Sequence, residues 1–329
     1  MSVFRRALPM TIPLIFLQTA WLPHVSAESV SPGDDSRWFF AMGQSSDSRS
    51  SAIYGEEKGR KRDFGVYSYI AIGGEYILFS EKESRFGAET DSTTNGIAYL
   101  SGGLAFRIRD KYALSIQGGS TLYPGEGTEE WTRNGETIAR NHFTVSSSNT
   151  RFFGHYFLTS RSQIITGPGF VLNTFTRSQF SGSAVDEITC GGDPGCITQE
   201  FLRVEQEQLF YVSWLVGYGY SRSPKTEGDY RLDASILAGL PVYKKVTNTR
   251  YPDTDFTDTN GYTLEGRFSL GYMIYPGLDI GLYLDYQITK FQSDKEQAFD
   301  VATGQETEAE IPENMTQILH YGLALEYSF

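Results

Sequence analysis

From about residue 64 onward, apolar and polar positions alternate with a period of two rather than the 3.6 of a helix. The closing segment shows the pattern: Tyr321, Leu323, Leu325, Tyr327 and Phe329 share one face, while Gly322, Ala324, Glu326 and Ser328 share the other. Ala98 to Ile108, Phe210 to Tyr220, Leu232 to Val242, Leu264 to Ile274 and Leu278 to Ile288 form similar apolar rows at every second residue. Each row is long enough for a tilted strand to cross a bilayer, which takes about 9–11 residues. Alternating segments fall at about 64–80, 95–109, 111–124, 149–161, 163–179, 206–222, 229–246, 261–275, 278–292 and 315–329. Four connections are tight: Arg109–Lys111, Ser160–Ser162, Arg222–Gly228 and Tyr275–Gly277. Five are long and polar, at about 81–94, 125–148, 180–205, 247–260 and 293–314. Short and long alternate strictly, so the strand count is even and both ends of the run lie on the short-turn side. The pattern predicts an all-β fold, a ten-stranded antiparallel transmembrane β-barrel with short periplasmic turns and long extracellular loops.

The N-terminal stretch supplies an address. Arg5 and Arg6 precede an apolar run, Ala7 to Leu22, and Val25-Ser26-Ala27 reads as a small-residue cleavage site. Residues 1–27 are read as a secretory signal peptide, and the barrel is placed at 63–329. Residues 28–62 between them are expected to be a periplasmic lead, with an interior plug or an extra strand as alternatives. Removing the signal leaves 26 Lys and Arg against 40 Asp and Glu, so the net charge moves from −12 to −14. Such an acidic chain is a poor nucleic-acid binder. The 21 Tyr, 22 Phe and 34 Gly fit aromatic girdles and close strand packing.

Cys190 and Cys196 enclose Gly-Gly-Asp-Pro-Gly in the third long connection. In an exported chain they are expected to form a disulfide that clips a loop tip. The face opposite the apolar rows carries Arg107, Arg109, Gln117, Arg231, Asp233, Glu265, Arg267, Asp279, Asp285, His320 and Glu326. In a narrow barrel these groups would pair across the lumen, with His320 near Glu326. Pro168 and Pro241, inside strand-like stretches, are expected at bulges or strand ends. Catalytic and nucleotide-binding motifs are missing from the sequence, and no cofactor is expected. Glu126, Glu129 and Glu130 cluster in the second long connection, and Asp253, Asp255 and Asp258 in the fourth.

The closing strand, ending on Phe329, resembles those of bacterial outer-membrane barrels, which implies recognition by the barrel-assembly machinery and lipid and lipopolysaccharide as surroundings. The layout of ten strands and five long loops, with Gly271–Pro276, Asp279–Asp285 and Leu323–Phe329, resembles the omptin family of outer-membrane proteases. Omptins carry Asp-x-Asp before a Trp in the second loop. Thr128-Glu129-Glu130-Trp131 stands there in this chain, with Glu130 in register. Omptins carry Asp-x-His in the fourth loop, whereas the stretch from Tyr251 to Asp258 has no His. The resemblance therefore implies the shape without the water-activating base. The expected function is a non-enzymatic surface protein whose loops bind an external ligand. The alternatives are an omptin-like endopeptidase with a divergent centre or a narrow-channel transporter.

Overall fold

The structure, a computed structural model, describes residues 65–82, 88–109, 111–181, 206–223, 227–249, 251–300 and 304–328. All of them fall in the compact unit Arg49–Phe329. The signal peptide, the stretch 28–62 and the pair Cys190 and Cys196 lie outside the described residues.

Thirteen strands build the chain: β1 Gly65–Lys82, β2 Ala88–Arg109, β3 Tyr112–Thr121, β4 Gly125–Arg133, β5 Glu136–Phe157, β6 Ser162–Ser181, β7 Gln206–Arg222, β8 Tyr230–Asn248, β9 Gly261–Tyr275, β10 Leu278–Phe291, β11 Asp294–Asp300, β12 Gln305–Ile311 and β13 Glu313–Ser328. Neighbours pair antiparallel from β1 through β2, β3, β5, β6, β7, β8, β9 and β10 to β13, and β13 returns to β1. Consecutive segments β3 and β4 both lie between β2 and β5, so they form one stave, and the ring has ten staves. Closure leaves the ring without an open edge, as a strand protein in lipid requires. It is tight: Gly73 faces Gly322 across the β1–β13 seam, and a Cβ at Gly73 would overlap the Tyr321 carbonyl. This explains a glycine pair inside a strand.

Three long connections are shorter than the sequence pattern suggested. The second becomes a hairpin of β4 and β5 turning at Asn134-Gly135, both with positive φ (53° and 82°). Asn-Gly is the residue pair that such a two-residue turn demands. The first shrinks because β1 runs on to Lys82 and β2 begins already at Ala88, and the fifth holds the β11–β12 hairpin. Pro241 sits where the β7–β8 register shifts, so Val242 and Tyr243 both face outward. Pro168 sits at a gap: β5–β6 pairing stops at Arg151 with Gly169 and resumes at Gly154 with Thr166 in unchanged register.

The outer surface divides into two zones. Toward the short turns it is apolar, with Ile236, Leu240, Leu282 and Leu323 all more than half exposed. On β8 this zone runs from Tyr230 to Val242, which at about 3.3 Å per residue and a ~40° tilt covers on the order of 30 Å. Tyr112 against Tyr156 and Tyr230 against Tyr272, each pair 5.4 Å apart, mark its lower rim. Phe210 against Tyr243, at 5.8 Å, marks its upper rim. Above it the outward face turns ionic: Lys82 meets Glu89 at 2.6 Å, Lys290 meets Glu313 at 2.7 Å, Glu130 meets Arg140 at 2.9 Å and Lys245 meets Asp255 at 2.7 Å.

The interior inverts at the same height. Inside the apolar zone the lumen is polar. Above it Ile77, Phe79, Phe143, Val145, Phe175, Leu209 and Tyr211 point inward and form one buried core with Phe256, Phe291 and Ile311. The period of two continues along each strand, but its sign changes. In lipid the apolar side faces out, and in water it faces in. The expectation of a uniformly polar inner face is therefore corrected for the loop-end half.

Candidate functional site

The loop-end half carries the chemistry that sequence analysis placed in loops. On β4, Gly127, Glu129 and Trp131 alternate inward, and Thr128 and Glu130 alternate outward. Glu130 is therefore not the acid aimed into the barrel. It is an exposed surface residue paired with Arg140. Glu129 occupies the interior with no exposed surface.

Four donors surround Glu129. Arg177 Nε donates to its Oε2 at 2.7 Å, and Arg177 Nη2 to its Oε1 at 3.2 Å. Ser92 Oγ donates to Oε1 and Asn141 Nδ2 to Oε2, both at 2.9 Å. Trp131 Nε1 donates in turn to Asn141 Oδ1 at 3.0 Å, which fixes the amide orientation. Arg177 Nη2 also reaches Glu81 at 2.8 Å, and the guanidinium lies 5.8–5.9 Å from the rings of Phe79, Trp131 and Phe143. Burial, opposed by Arg177 and reinforced by Glu207 and Glu129, raises the Glu81 carboxyl to about 8. Burial raises Glu207 as well. Thus the Arg177 guanidinium bonds two acids, with Glu129 as its principal partner, and acts on Glu207 through charge alone. Each Glu129 oxygen accepts two hydrogen bonds, and neither is turned toward open solvent.

The fourth connection folds down onto this core. Phe256 is fully buried and bridges to Val246, while Asn248 Oδ1 accepts from the Tyr251 amide at 2.8 Å. Lys244, buried on β8, meets Asp294 at the foot of β11 at 3.2 Å, and Asp294 also accepts from the Asp258 amide at 2.8 Å. Asp258 is thus part of a turn network, and Asp255 pairs with Lys245 on the surface. None of the contacts made by Asp255 or Asp258 joins them to Glu129. His142, expected in a loop, lies on the outward side of β5.

In the membrane half the lumen holds a cavity of about 180 Å³, lined by Tyr67, Tyr69, Tyr99, Arg151, Arg267 and Asp285 among others. Arg151 meets Glu265 at 3.2 Å and Asp285 at 3.6 Å, and Arg267 meets Glu265 at 2.8 Å. His320 pairs with Glu75, directly opposite on β1, at 2.7 Å rather than with Glu326, and stacks on Tyr99 at 3.8 Å. Glu326 is held by Arg231. His155 lies between Ser115 at 2.8 Å and Gln163 at 3.0 Å. The sequence reading missed Arg151 and Arg177. Both sit at alternating inward positions of predicted strands, so continuing the face assignment along β5 and β6 would have found them.

No family model matches the chain, and no curated protein matches it. Among solved structures, the chain is similar to the outer membrane protease OmpT from Escherichia coli, with a TM-score of 0.58 at 10% identity over 83% of this chain and 99% of that one. It also matches OprG from Pseudomonas aeruginosa (TM-score 0.32, 12% identity, 83% and 99% covered). A third match is the translocator domain of the autotransporter NalP from Neisseria meningitidis (TM-score 0.32, 9% identity, 83% and 90% covered). Of these three likenesses, that to OmpT alone is close enough to bear on shape. With the closed ring of ten staves, it makes the fold that of an outer-membrane β-barrel, omptin-like in layout.

Proposed function

We propose that this chain is an outer-membrane surface protein that presents a closed, acidic loop-end cap to an external partner and does not cleave it. The observation that carries this reading is the saturation of Glu129: the inward acid of the second hairpin spends its acceptor capacity on Arg177, Ser92 and Asn141. The apolar core at the same level packs the space above the lumen, which speaks against a through-channel. Around this core the cap exposes Glu296, Glu306 and Glu308 on the β11–β12 hairpin, where Lys295 reaches Glu308 and Glu310, and Asp253 in the fourth connection, so a cationic partner would meet a net negative surface. Embedding in a lipopolysaccharide-containing bilayer, export by the signal peptide and insertion by the barrel-assembly machinery belong to the same proposal.

The likeness to a protease in shape supports one competing reading, an endopeptidase with a divergent centre. The two separate on a dibasic fluorogenic peptide offered to protein refolded with lipopolysaccharide. The binding reading expects cleavage no faster than in a protein-free control. Cleavage that disappears in Glu129→Gln would overturn it. Cleavage lost in Glu130→Ala while Glu129→Gln stays active would overturn it too, and would move the centre to the outer surface.

A further inference from the structure

Small inward residues hollow the lumen and aromatic ones wall it. Ser101, Ser235 and Ser269 leave room, while Tyr69, Tyr99 and Tyr283 line the cavity that results. At about 30 Å³ per water, its volume of about 180 Å³ holds roughly six waters or one small organic molecule. The lining reaches Tyr67, Asp233 and Glu326, close to the short-turn ends of β1, β8 and β13. At the other end Tyr211, Gln287 and Thr289 are buried and bonded to one another beneath the apolar core. The cavity therefore extends toward the short turns and stops below the loop-end half.

Asp285 on β10 and Arg267 on β9 are direct cross-strand partners, and both line this cavity. Their side chains are 17% and 18% exposed, whereas their partners Arg151 and Glu265 are 4% and 2% exposed. A molecule in the cavity would touch the first pair. Asp285 is also the lumen acid that makes no hydrogen bond among the described residues. Arg151 and Arg267 stay at 3.6 and 3.7 Å, beyond hydrogen-bonding distance, and its Oδ1 has no partner. The other lumen acids are supplied: Glu75 accepts from Thr121, Glu265 from Arg267, Asp233 from Ser221, and Asp279 and Glu326 from Arg231. A carboxylate short of donors in a confined space is costly, and a charged donor offsets that cost best.

Charge balance narrows the class of ligand. Arg151 and Arg267 offset Glu265 and Asp285, so a ligand with net charge would leave one charge unmatched in the wall. A zwitterion does not. An α-amino acid holds its ammonium and its carboxylate on one carbon, and Asp285 and Arg267, 3.7 Å apart, offer the complementary charges side by side. Arg267 is braced by Glu265 at 2.8 Å and by Gln117, with Phe153 at 5.3 Å from its guanidinium, so its orientation is set before a ligand arrives. Ile165 and Leu237, also in the lining, add apolar surface for a side chain.

We propose that the lumen cavity binds a small apolar α-amino acid, its ammonium on Asp285 and its carboxylate on Arg267, admitted from the short-turn side. The site lies below the cap and does not depend on what the loops recognise. Only the name of that side, periplasmic, rests on the outer-membrane reading.

The test titrates the full chain, folded in a non-ionic detergent, with L-alanine, L-leucine and L-phenylalanine in a calorimeter. At least one should bind, and about tenfold more tightly than the same molecule without its carboxylate or without its ammonium. For leucine these relatives are isoamylamine and isocaproate. In Asp285→Asn the amino acid should lose its advantage over the acid, a change in selectivity that mere loosening of the wall would not produce. Absence of binding by all three amino acids up to about 10 mM, a cavity filled by water alone, would overturn the proposal. So would an amine or an acid that binds as tightly as its amino acid. Should Asp285→Asn not fold, the comparison of amino acid, amine and acid on the unaltered chain decides. Loss of the heat-dependent gel shift in the unaltered chain would remove the lumen, and the proposal with it.

Discussion

Replacing Arg177 by methionine should destabilise the barrel by about 3–5 kcal/mol, the range for removing one partner of a buried ion pair. The expected cost is high because Arg177 is shared. Its loss strips two of the four donors from Glu129 and the short contact from Glu81, in a region where both acids are buried. Water has no ready path to replace them, since Phe79, Phe143 and Trp131 surround the guanidinium. The readout is the urea midpoint of the folded form in detergent or lipid. The double change Arg177→Met with Glu129→Gln should recover part of the loss, because the unpaired charge goes with its partner. Lysine at 177 should recover less than the pairing geometry suggests, as an ammonium cannot bond Glu81 and Glu129 through a planar fork.

The second large effect concerns the outer surface. Ile236 stands mid-way along the apolar run of β8 and is 69% exposed. On a soluble protein such a residue would tolerate arginine at little cost. In a bilayer the same change should cost about 2–4 kcal/mol, the midplane value for a charged residue facing lipid. Thr176, outward on β6 in the ionic zone, should accept arginine within about 0.5 kcal/mol. The pair of variants therefore maps the lipid boundary: a large loss at Ile236→Arg with none at Thr176→Arg, read as folding midpoints in lipid vesicles.

Most of the barrel was legible in the chain because its period of two is set by backbone geometry alone. The ten staves, the four tight turns and the inward positions of Arg231, Glu265, Arg267, Asp279 and Asp285 follow from it. What the sequence conceals is where water begins. Phe143 and Val145 point inward on β5 while Thr144 and Ser146 point outward, the reverse of the rule that holds at Leu282 or Leu323. A reader who assumes that apolar always means lipid-facing takes that stretch for a loop, although Asn134-Gly135 advertises a hairpin turn in its middle. Glu130 stands out in the sequence on different grounds, its register with the omptin motif before Trp131, whereas the alternation along β4 turns Glu129 inward. The partner of His320 was hidden for another reason. Alternation gives the face, but cross-strand register, here Glu75 opposite His320, depends on closure of the ring by residues some 245 positions apart.

Electrophoretic mobility of the outer-membrane fraction, with and without boiling, tests the central claim most directly. A closed ten-stave barrel resists unfolding by dodecyl sulfate at room temperature, so the unboiled sample should run as a band distinct from the boiled one. Identical mobility, with the protein recovered from the soluble periplasmic fraction, would contradict it.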